Sequence, residues 1–290
     1  MKIVKFEEYF SKQHIAIIKQ ILHLSLEEDI GTGDITTRST IPLKAKATAR
    51  LIAKQKGILC GTALIPLIFA QKTKKAVIKI KIKDGSQVKP GDIVAVIECP
   101  AVDLLEVERV CLNYIQRLSG IATFTRKFVD QVAPYPCKIM DTRKTTPLLR
   151  MLEKYAVYVG GGTNHRFALY DQILIKDNHI DVAGGIEAAI KRVRHKYPGR
   201  LIQVEARTMD EFKRALPFRP EIVLLDNMTP AQLKKAVDFA QGKVLLEASG
   251  GVNLENVRKI AATGVHRISI GALTHSAPAL DLSLKIHIPR

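Results

Sequence analysis

The stretch LIQVEARTMDEFKRALPFRPEIVLLDNMTPAQLKKAVDFAQGKVLLEASG (201–250) contains three short apolar runs, and a carboxylate follows each of them. LIQV precedes Glu205, IVLL precedes Asp226 and VLL precedes Glu247. Asp226 lies 21 residues after Glu205, and Glu247 lies 21 residues after Asp226, which is about the length of one strand, loop and helix. Apolar strands that alternate with helices in this way are typical of a parallel sheet covered by helices.

Start signals for helices lie between these runs. Thr208 with Glu211 has the spacing of a capping box. Thr229 is followed by a proline at the first helical position and by Gln232 as a second box partner. The sequence therefore predicts one helix after each of the first two strands.

The same pattern recurs outside the quoted stretch, where KIM precedes Asp141, QILI precedes Lys176 and RISI precedes Gly271. Polar residues at the carboxyl ends of successive strands favour an α/β barrel, whose active site is built at those ends. Only six or seven strand signals are present, so we expect an incomplete barrel. A doubly wound open sheet is the alternative, but no GxGxxG motif follows the first strand to support a dinucleotide site.

The chain before about residue 113 has a different pattern. Residues 1–112 are predicted to form an N-terminal α/β domain, and residues 113–274 the barrel. A helix is expected at about Ile15–Glu28, followed by the polar, turn-rich loop EEDIGTGDITT (27–37). Strands of this domain are expected at about Ala45–Ala53, Val77–Ile82 and Ile93–Glu98.

Positive charge is concentrated in the N-terminal domain. The chain has a formal net charge of +17, and between Lys44 and Asp92 twelve Lys and Arg residues face two Asp residues. In VIKIKIK (77–83) isoleucine and lysine alternate, which is typical of a strand with one solvated face. No aromatic residues interleave with these lysines and no nucleic-acid-binding motif is present. We therefore expect a solvated basic face that attracts small polyanions, and no nucleic acid partner.

Cysteine spacing and hydropathy indicate the cellular compartment. Cys60, Cys99, Cys111 and Cys137 form no CxxC pair, so neither a zinc site nor a disulfide framework is expected. The N-terminus MKIVKFEEYF lacks the apolar run of a signal peptide, and no apolar stretch is long enough to span a bilayer. The sequence predicts a cytoplasmic protein with no membrane partner.

Residues 141–180 contain an unusual density of anion-binding side chains, in the segments DTRKTTP, GGGTNHR and LIKDNHI. The cationic or ionisable residues stand beside turn-forming or strand-ending residues, not in the middle of a charged helix. Cations clustered at the ends of elements usually face a ligand, and several together indicate a ligand with several negative charges. The candidates are Arg143, Lys144, His165, Arg166 and Lys176.

The carboxylates of the quoted stretch provide a second part of the predicted site. Glu205, Asp226 and Glu247 on successive strands would meet at one mouth of the barrel, where like charges raise each other's pKa unless cations or a metal ion lie among them. This arrangement suits a ligand with anionic groups and hydroxyls, and Mg²⁺ as cofactor. Backbone N–H groups of the two loops that leave the last barrel strands are suited to a phosphate: Ser249, Gly250, Gly251 and Gly271.

These residues together resemble the quinolinate phosphoribosyltransferase family, which makes nicotinate mononucleotide for NAD synthesis. The resemblance implies an α/β sandwich followed by an incomplete, roughly seven-stranded barrel, with LSLKIHI (282–288) and the rest of residues 275–290 rejoining the N-terminal sheet. It covers nearly the whole chain from Glu27 to Ser276. The matching segments are EEDIGTGDITT, ERVCLNYIQRLSGIAT, DTRKTTPLLRMLEKYAV, VGGGTNHRFAL, LIKDNHI, VEART, VLLDNM, LEASGG and SIGALTHS.

The resemblance implies that quinolinate, a dicarboxylate, is the acceptor and 5-phosphoribosyl pyrophosphate (PRPP) the donor. Quinolinate would be held by Arg143, His165, Arg166 and Lys176, with Arg109 reaching in from a neighbouring subunit of a homodimer or hexamer. A paralogous phosphoribosyltransferase that acts on another acceptor is the alternative.

The donor would be bound by the other residues. Lys144, Glu205 and Asp226 are the expected catalytic residues; Lys144 would meet PRPP, and the two carboxylates would hold the ribose hydroxyls and Mg²⁺. Glu247 is expected to bind PRPP with them at the barrel mouth, and the glycine loops would take the 5-phosphate.

Overall fold

The structure is a computed structural model that describes residues 4–287. The chain divides into two compact units. The first comprises the chain up to Phe124, then residues 147–161, and finally the segment from Ala277 onward. The second comprises Thr125–Thr146 and Gly162–Ser276.

The first unit contains an antiparallel sheet with helices. Its helices and strands, in chain order, are α1 (Phe6–Tyr9), α2 (Lys12–Ile30), α3 (Ile35–Thr40), β1 (Lys46–Ala53), β2 (Gly57–Ile58), α4 (Leu64–Lys72), β3 (Val77–Ile80), β4 (Gln87–Val88), β5 (Ile93–Pro100) and α5 (Ala101–Val132), of which the last residues belong to the second unit.

The second unit contains a parallel sheet with helices. After β6 (Lys138–Met140), the chain forms α6 (Arg150–Val159), which belongs to the first unit. The other elements of the second unit are β7 (Ile173–Ile175), α7 (Asp177–Ala183), α8 (Ile186–Lys196), β8 (Ile202–Ala206), α9 (Met209–Ala215), a 3-10 helix (Leu216–Phe218), β9 (Ile222–Asp226), α10 (Pro230–Ala240), β10 (Leu245–Ser249), α11 (Val257–Ala261), β11 (Arg267–Ser269) and α12 (Ala272–His275). The final strand β12 (Leu282–His287) belongs to the first unit.

The four-stranded sheet of the first unit has the order β12-β1-β5-β3. Strand β12 runs antiparallel to β1 from Ala53↔Leu282 to Thr48↔His287, so the end of the chain joins the N-terminal sheet. Ile288, the last residue of the expected strand, lies outside the described residues. The alternation in VIKIKIK is confirmed, because the three isoleucines are partly buried and the three lysines are exposed, although the strand ends at Ile80.

The expectation of a polar loop at residues 27–37 was wrong in part. Helix α2 continues through Ile30, and Gly31 ends it with a φ of 51°. The Asp34 carboxylate accepts hydrogen bonds from the backbone N–H groups of Thr36 and Thr37, both at 2.9 Å, and so begins α3. An N-cap of this kind satisfies backbone donors that the start of a helix leaves open.

The parallel sheet of the second unit has the strand order β6-β11-β10-β9-β8-β7. An isolated parallel bridge between Met140 and Thr163 adds a seventh position beside β6. Ile202, Val204 and Ala206 of β8 are completely buried, as expected for a strand with a covered outer face. The incomplete barrel predicted from the sequence is therefore confirmed, as six strands and one bridge.

Both predicted helix caps in this unit are confirmed. The Thr208 hydroxyl accepts a hydrogen bond from Glu211 N at 3.1 Å at the start of α9. Thr229 and Gln232 form a reciprocal capping box at the start of α10, with Pro230 as its first residue. Among the helices of residues 4–287, none is long and apolar enough to cross a membrane.

Candidate active site

The carboxyl ends of the parallel strands bring three acidic residues to one edge of the sheet. Glu205 on β8 and Glu247 on β10 both lie opposite Leu224 of β9, which separates them. Asp226 ends β9 two residues later, opposite Ser249 of β10. The strand order therefore gives three acidic positions on three adjacent strands, as the sequence spacing predicted.

Glu205 and Asp226 form a like-charge pair. Glu205 is half-buried, and this burial is the largest cause of its raised pKa. The nearby Asp226 carboxylate raises the pKa of Glu205 further, while the positive charge of Lys176 opposes the shift. A raised carboxylate pKa with a specific charged neighbour at a strand end is typical of a functional site.

Asp177 is a second acidic neighbour of Glu205, after Asp226, and the sequence did not single it out. Its charge also raises the pKa of Glu205. Arg207 forms an ion pair with Asp177, with its Nη1 atom 3.6 Å from Asp177 Oδ2. Asp177 lies in the first turn of α7, where an acidic residue is favoured by the helix dipole alone. Its position in the sequence therefore gives no sign that it lies near Glu205.

Lys176 directly follows β7 and is exposed on the carboxylate side of the site. Its backbone N–H donates to His179 Nδ1 at 2.9 Å, so His179 helps to begin α7. The positive charge of Lys176 lowers the pKa of Glu205, against the effects of burial and Asp226.

Arg143 and Arg166 bring two guanidinium groups to the same region. Arg166 is 8% exposed. Burial lowers its pKa most, and the positive charge of Arg143 lowers that pKa further, whereas Asp171 opposes the shift. Arg166 Nη1 donates to the Gln172 carbonyl at 3.1 Å, which ties the guanidinium to its own loop. Two cations held close together at a buried position form a site suited to a dianion.

His165 joins this cation cluster to the acidic strand ends. Its Nε2 atom lies 3.3 Å from Glu247 Oε1, and the Ser269 hydroxyl donates to the same carboxylate oxygen. On the other side of the ring, the backbone N–H of Arg166 donates to His165 Nδ1 at 2.7 Å. Glu247 is completely buried, unlike the half-buried Glu205 and Asp226.

Asp141 fixes the loop that carries His165. It is completely buried directly after β6, and its carboxylate accepts hydrogen bonds from His165 N at 2.9 Å and from Asn164 Nδ2 at 2.7 Å. In the sequence, Asp141 marks the end of a strand. Its position between an apolar run and a cation-rich loop could have indicated that it accepts hydrogen bonds from that loop.

Lys144 lies against the loop that follows β11. A methyl group on Gly271 would come 2.9 Å from Lys144 Cδ, so the lysine side chain passes across this glycine. The Thr274 hydroxyl also donates to the Lys144 carbonyl at 2.7 Å. These contacts hold Lys144, which is exposed, beside the loop that follows β11.

The glycine loop after β10 has a backbone that other residues rarely adopt. Gly250 and Gly251 have φ angles of 92° and 59°. A Cβ atom on Gly250 would come 2.1 Å from Asn227 Oδ1, because Asn227 N donates to the Ser249 carbonyl at 2.8 Å and holds the two loops together. Consecutive glycines of this kind let backbone N–H groups approach an anion closely.

The predicted site residues of the barrel therefore all lie in the second unit, whereas Arg109 lies in the first unit. Arg109 is exposed on α5 and belongs to the first unit. Within residues 4–287, no group of three or more His, Cys, Asp or Glu side chains could hold a metal ion. A divalent ion at Glu205 and Asp226 would thus need further oxygen ligands.

Comparisons with known proteins show the family of this chain. The profile of the quinolinate phosphoribosyl transferase N-terminal domain matches residues 34–119, and that of the C-terminal domain matches residues 121–285. The chain is 42% identical over 289 residues to a decarboxylating quinolinate phosphoribosyltransferase (2b, mitochondrial) of Nicotiana tabacum, over 93% of this chain and 82% of the relative.

A bacterial relative and a solved structure give the same result. The chain is 42% identical over 274 residues to a probable carboxylating nicotinate-nucleotide pyrophosphorylase of Bacillus subtilis (strain 168), over 94% of each chain. The solved nicotinate-nucleotide pyrophosphorylase of Francisella tularensis matches with a TM-score of 0.90 at 39% identity, over 94% of this chain and 96% of that chain.

Proposed function

Since the chain belongs to the quinolinate phosphoribosyltransferase family, we propose that its barrel unit transfers the 5-phosphoribosyl group of PRPP to the ring nitrogen of quinolinate. Pyrophosphate and CO₂ leave, and nicotinate mononucleotide remains for NAD synthesis. The assignment of roles rests on two like-charge pairs in the barrel unit: Arg143 with Arg166, and Glu205 with Asp226. The arginines suit a dicarboxylate, and the carboxylates suit a ribosyl cation.

Quinolinate binds at the cation cluster in this proposal. Arg143 and Arg166 are close enough for one charge to lower the pKa of the other arginine, and a dianion between them relieves that repulsion. His165 directly precedes Arg166, and Lys176 would add a third positive charge near Glu205.

PRPP binds across the acidic pair and the glycine loops. Lys144 lies against Gly271, so its ammonium is suited to the pyrophosphate group. The loop of Ser249, Gly250 and Gly251, with its two positive φ angles, offers backbone N–H groups to the 5-phosphate.

Mg²⁺ is the expected cofactor, and Glu205 with Asp226 fits it. The two carboxylates repel each other, and Glu205 has a raised pKa for that reason as well as burial, so a divalent cation between them is favourable. Mg²⁺ in proteins usually takes one or two carboxylates and completes its shell with water and substrate phosphates. When bound, the ion neutralises charge on the pyrophosphate.

The residues act on charges that develop during the transfer. As the bond between ribose C1 and pyrophosphate breaks, C1 becomes cationic, and the carboxylates of Glu205 and Asp226 stabilise it. The quinolinate nitrogen, held in line by Arg143 and Arg166, then forms a bond to C1. The ring is now a pyridinium; the bond from C2 to its carboxylate breaks, the electron pair stays on C2, and C2 takes a proton from solvent as CO₂ departs.

We propose that Arg109 completes the site of a partner subunit in a homodimer or hexamer. Its exposure on α5, outside the barrel unit, supports this role. A cytoplasmic location is proposed from the cysteines, all four of which are free thiols.

The choice of acceptor tests the proposed function. Purified protein is incubated with PRPP, Mg²⁺ and either quinolinate or nicotinate, and the mononucleotide is measured by mass spectrometry. We expect product with quinolinate and at least about a hundredfold lower kcat/KM with nicotinate, because nicotinate lacks one paired carboxylate. Preference for nicotinate would favour the paralogous enzyme, and absence of product with quinolinate would contradict the proposal.

A further inference from the structure

Glu247, the third of the five residues of β10, differs from Glu205 and Asp226 in its surroundings. The sequence spacing makes it equivalent to Glu205 and Asp226, and groups all three at the barrel mouth. In the structure Glu247 has no exposed surface, whereas Glu205 and Asp226 are half-buried. A side chain that solvent does not reach is poorly placed to meet ribose hydroxyls.

The hydrogen bonds around Glu247 lead to the cation cluster. Its Oε1 atom receives the Ser269 hydroxyl and lies 3.3 Å from His165 Nε2. Because His165 Nδ1 accepts the backbone N–H of Arg166, the ring proton is on Nε2 and is donated to Glu247. Both ring nitrogens of His165 thus have partners within the protein.

The chain of contacts ends at the backbone of Arg166. A buried hydrogen-bond acceptor holds a histidine ring in one tautomer and one orientation, as the residues around catalytic and metal-bound histidines do. The oriented ring in turn holds the Arg166 N–H, and Arg166 carries one of the two guanidinium groups.

We propose that Glu247 is a positioning residue that acts through His165 on Arg166, and that it does not bind PRPP. Its carboxylate accepts the Nε2 proton of His165, and His165 Nδ1 fixes the main chain at Arg166, so that the guanidinium is presented to the quinolinate carboxylates. This inference rests on the proposed function, because it explains how the quinolinate pocket is held.

Steady-state kinetics with each substrate varied in turn test the proposal. Glu247→Leu should raise the quinolinate KM by about tenfold or more and leave the PRPP KM within about twofold. Glu247→Gln should keep most of the activity, because its carbonyl can still face His165 and its NH₂ group would occupy the Oε2 position, which has no hydrogen-bond partner within residues 4–287. A raised PRPP KM with an unchanged quinolinate KM would overturn the proposal.

A double-mutant cycle separates positioning from loss of packing. In a His165→Asn background, Glu247→Leu should change kcat/KM by less than about threefold, because the two residues act as one unit. Losses that multiply would contradict the coupling. Thr263→Ala is the matched control, since the Thr263 hydroxyl donates a buried hydrogen bond to Ile260 in the same unit; it should lower Tm without a change in quinolinate KM.

A spectroscopic measurement keeps the proposal testable if a Glu247 variant does not fold. The ¹⁵N shifts of His165 in the wild-type protein should show a protonated Nε2 and an unprotonated Nδ1, and Ser269→Ala should perturb the Nε2 signal more than the Nδ1 signal. The opposite tautomer would overturn the proposal. Wild-type protein that makes no nicotinate mononucleotide would instead reject the proposed function, so the two failures are distinguishable.

Discussion

The side chain of Lys144 passes over Gly271, so closely that a Cβ atom on residue 271 would lie only 2.9 Å from Lys144 Cδ. Gly271 has a φ of −64°, so alanine is conformationally acceptable there. Gly271→Ala should therefore displace the flexible lysine without unfolding the loop. We expect the PRPP KM to rise or kcat to fall by about three- to tenfold with an unchanged Tm, a smaller loss than that of Lys144→Ala. Unchanged kinetics in Gly271→Ala would show that Lys144 does not act from this position.

Arg143→Ala should raise the quinolinate KM by about ten- to a hundredfold. A charge-assisted hydrogen bond of about 1.5–3 kcal/mol is lost, and each 1.4 kcal/mol corresponds to about a factor of ten. Arg200→Ala is the control: Arg200 is exposed and precedes β8, at the end of the strand opposite Glu205. Initial rates against quinolinate concentration distinguish the two, and equal effects of both variants would refute a specific role for Arg143.

Glu205→Gln should make the folded protein more stable at pH 7 while kcat falls by about a hundredfold or more. The pKa of Glu205 is raised in the folded state by burial and by Asp226, so the folded protein favours the protonated form. Stability from such a group is present at low pH and is lost as pH rises through the folded pKa, so the penalty grows with pH above the ordinary glutamate value.

The stability gain of Glu205→Gln should therefore shrink as the pH approaches the ordinary glutamate value of 4.5. Thermal unfolding between pH 4 and pH 8 measures it, with the exposed Glu255→Gln as control. Asp226→Asn should lower the pKa of Glu205 in an NMR titration, because it removes the like charge. A Glu205→Gln protein that is less stable than wild type at pH 7 would contradict the like-charge account.

Gly250→Ala should damage PRPP binding more than Gly251→Ala. Both glycines have a positive φ, which disfavours alanine by about 1–2 kcal/mol, but only the Gly250 Cβ would collide with Asn227, at 2.1 Å from its Oδ1 atom. Asn227→Gly should partly restore PRPP binding in the Gly250→Ala variant, because it removes the side chain that would collide. Glycine also tolerates the φ of 54° at position 227. Equal PRPP KM values for the two alanine variants would contradict the close approach of the loops.

The strand ends could be predicted from the sequence because each apolar run stops at a polar residue. Periodicity shows where a strand ends, but not which strands become neighbours. Glu205, Asp226 and Glu247 repeat at equal intervals, yet β10 lies beside β11, whose Ser269 covers Glu247. Glu247 also lies inside β10, whereas Glu205 and Asp226 lie at or next to the ends of their strands, and the spacing contains neither feature.

Loops were predicted less well than strands. The glycines of EEDIGTGDITT indicate a turn, but the Asp34 side chain provides the cap that begins α3 within the same segment. Asp177 and Asp141 have ordinary local explanations, a helix start and a strand end, and only the folded arrangement brings them to Glu205 and His165. Such contacts between distant residues carry no periodic signal.

The fate of the quinolinate carboxylate at C2 tests the decarboxylating transfer directly. Quinolinate with a ¹⁴C label in that carboxylate is incubated with wild-type protein, PRPP and Mg²⁺, and labelled CO₂, pyrophosphate and nicotinate mononucleotide are measured together. We expect equal amounts of all three, with no label in the mononucleotide, and about ten- to a hundredfold less product per unit time in Arg143→Ala at a quinolinate concentration below the wild-type KM. Label retained in the mononucleotide, or pyrophosphate released without CO₂, would contradict the decarboxylating transfer.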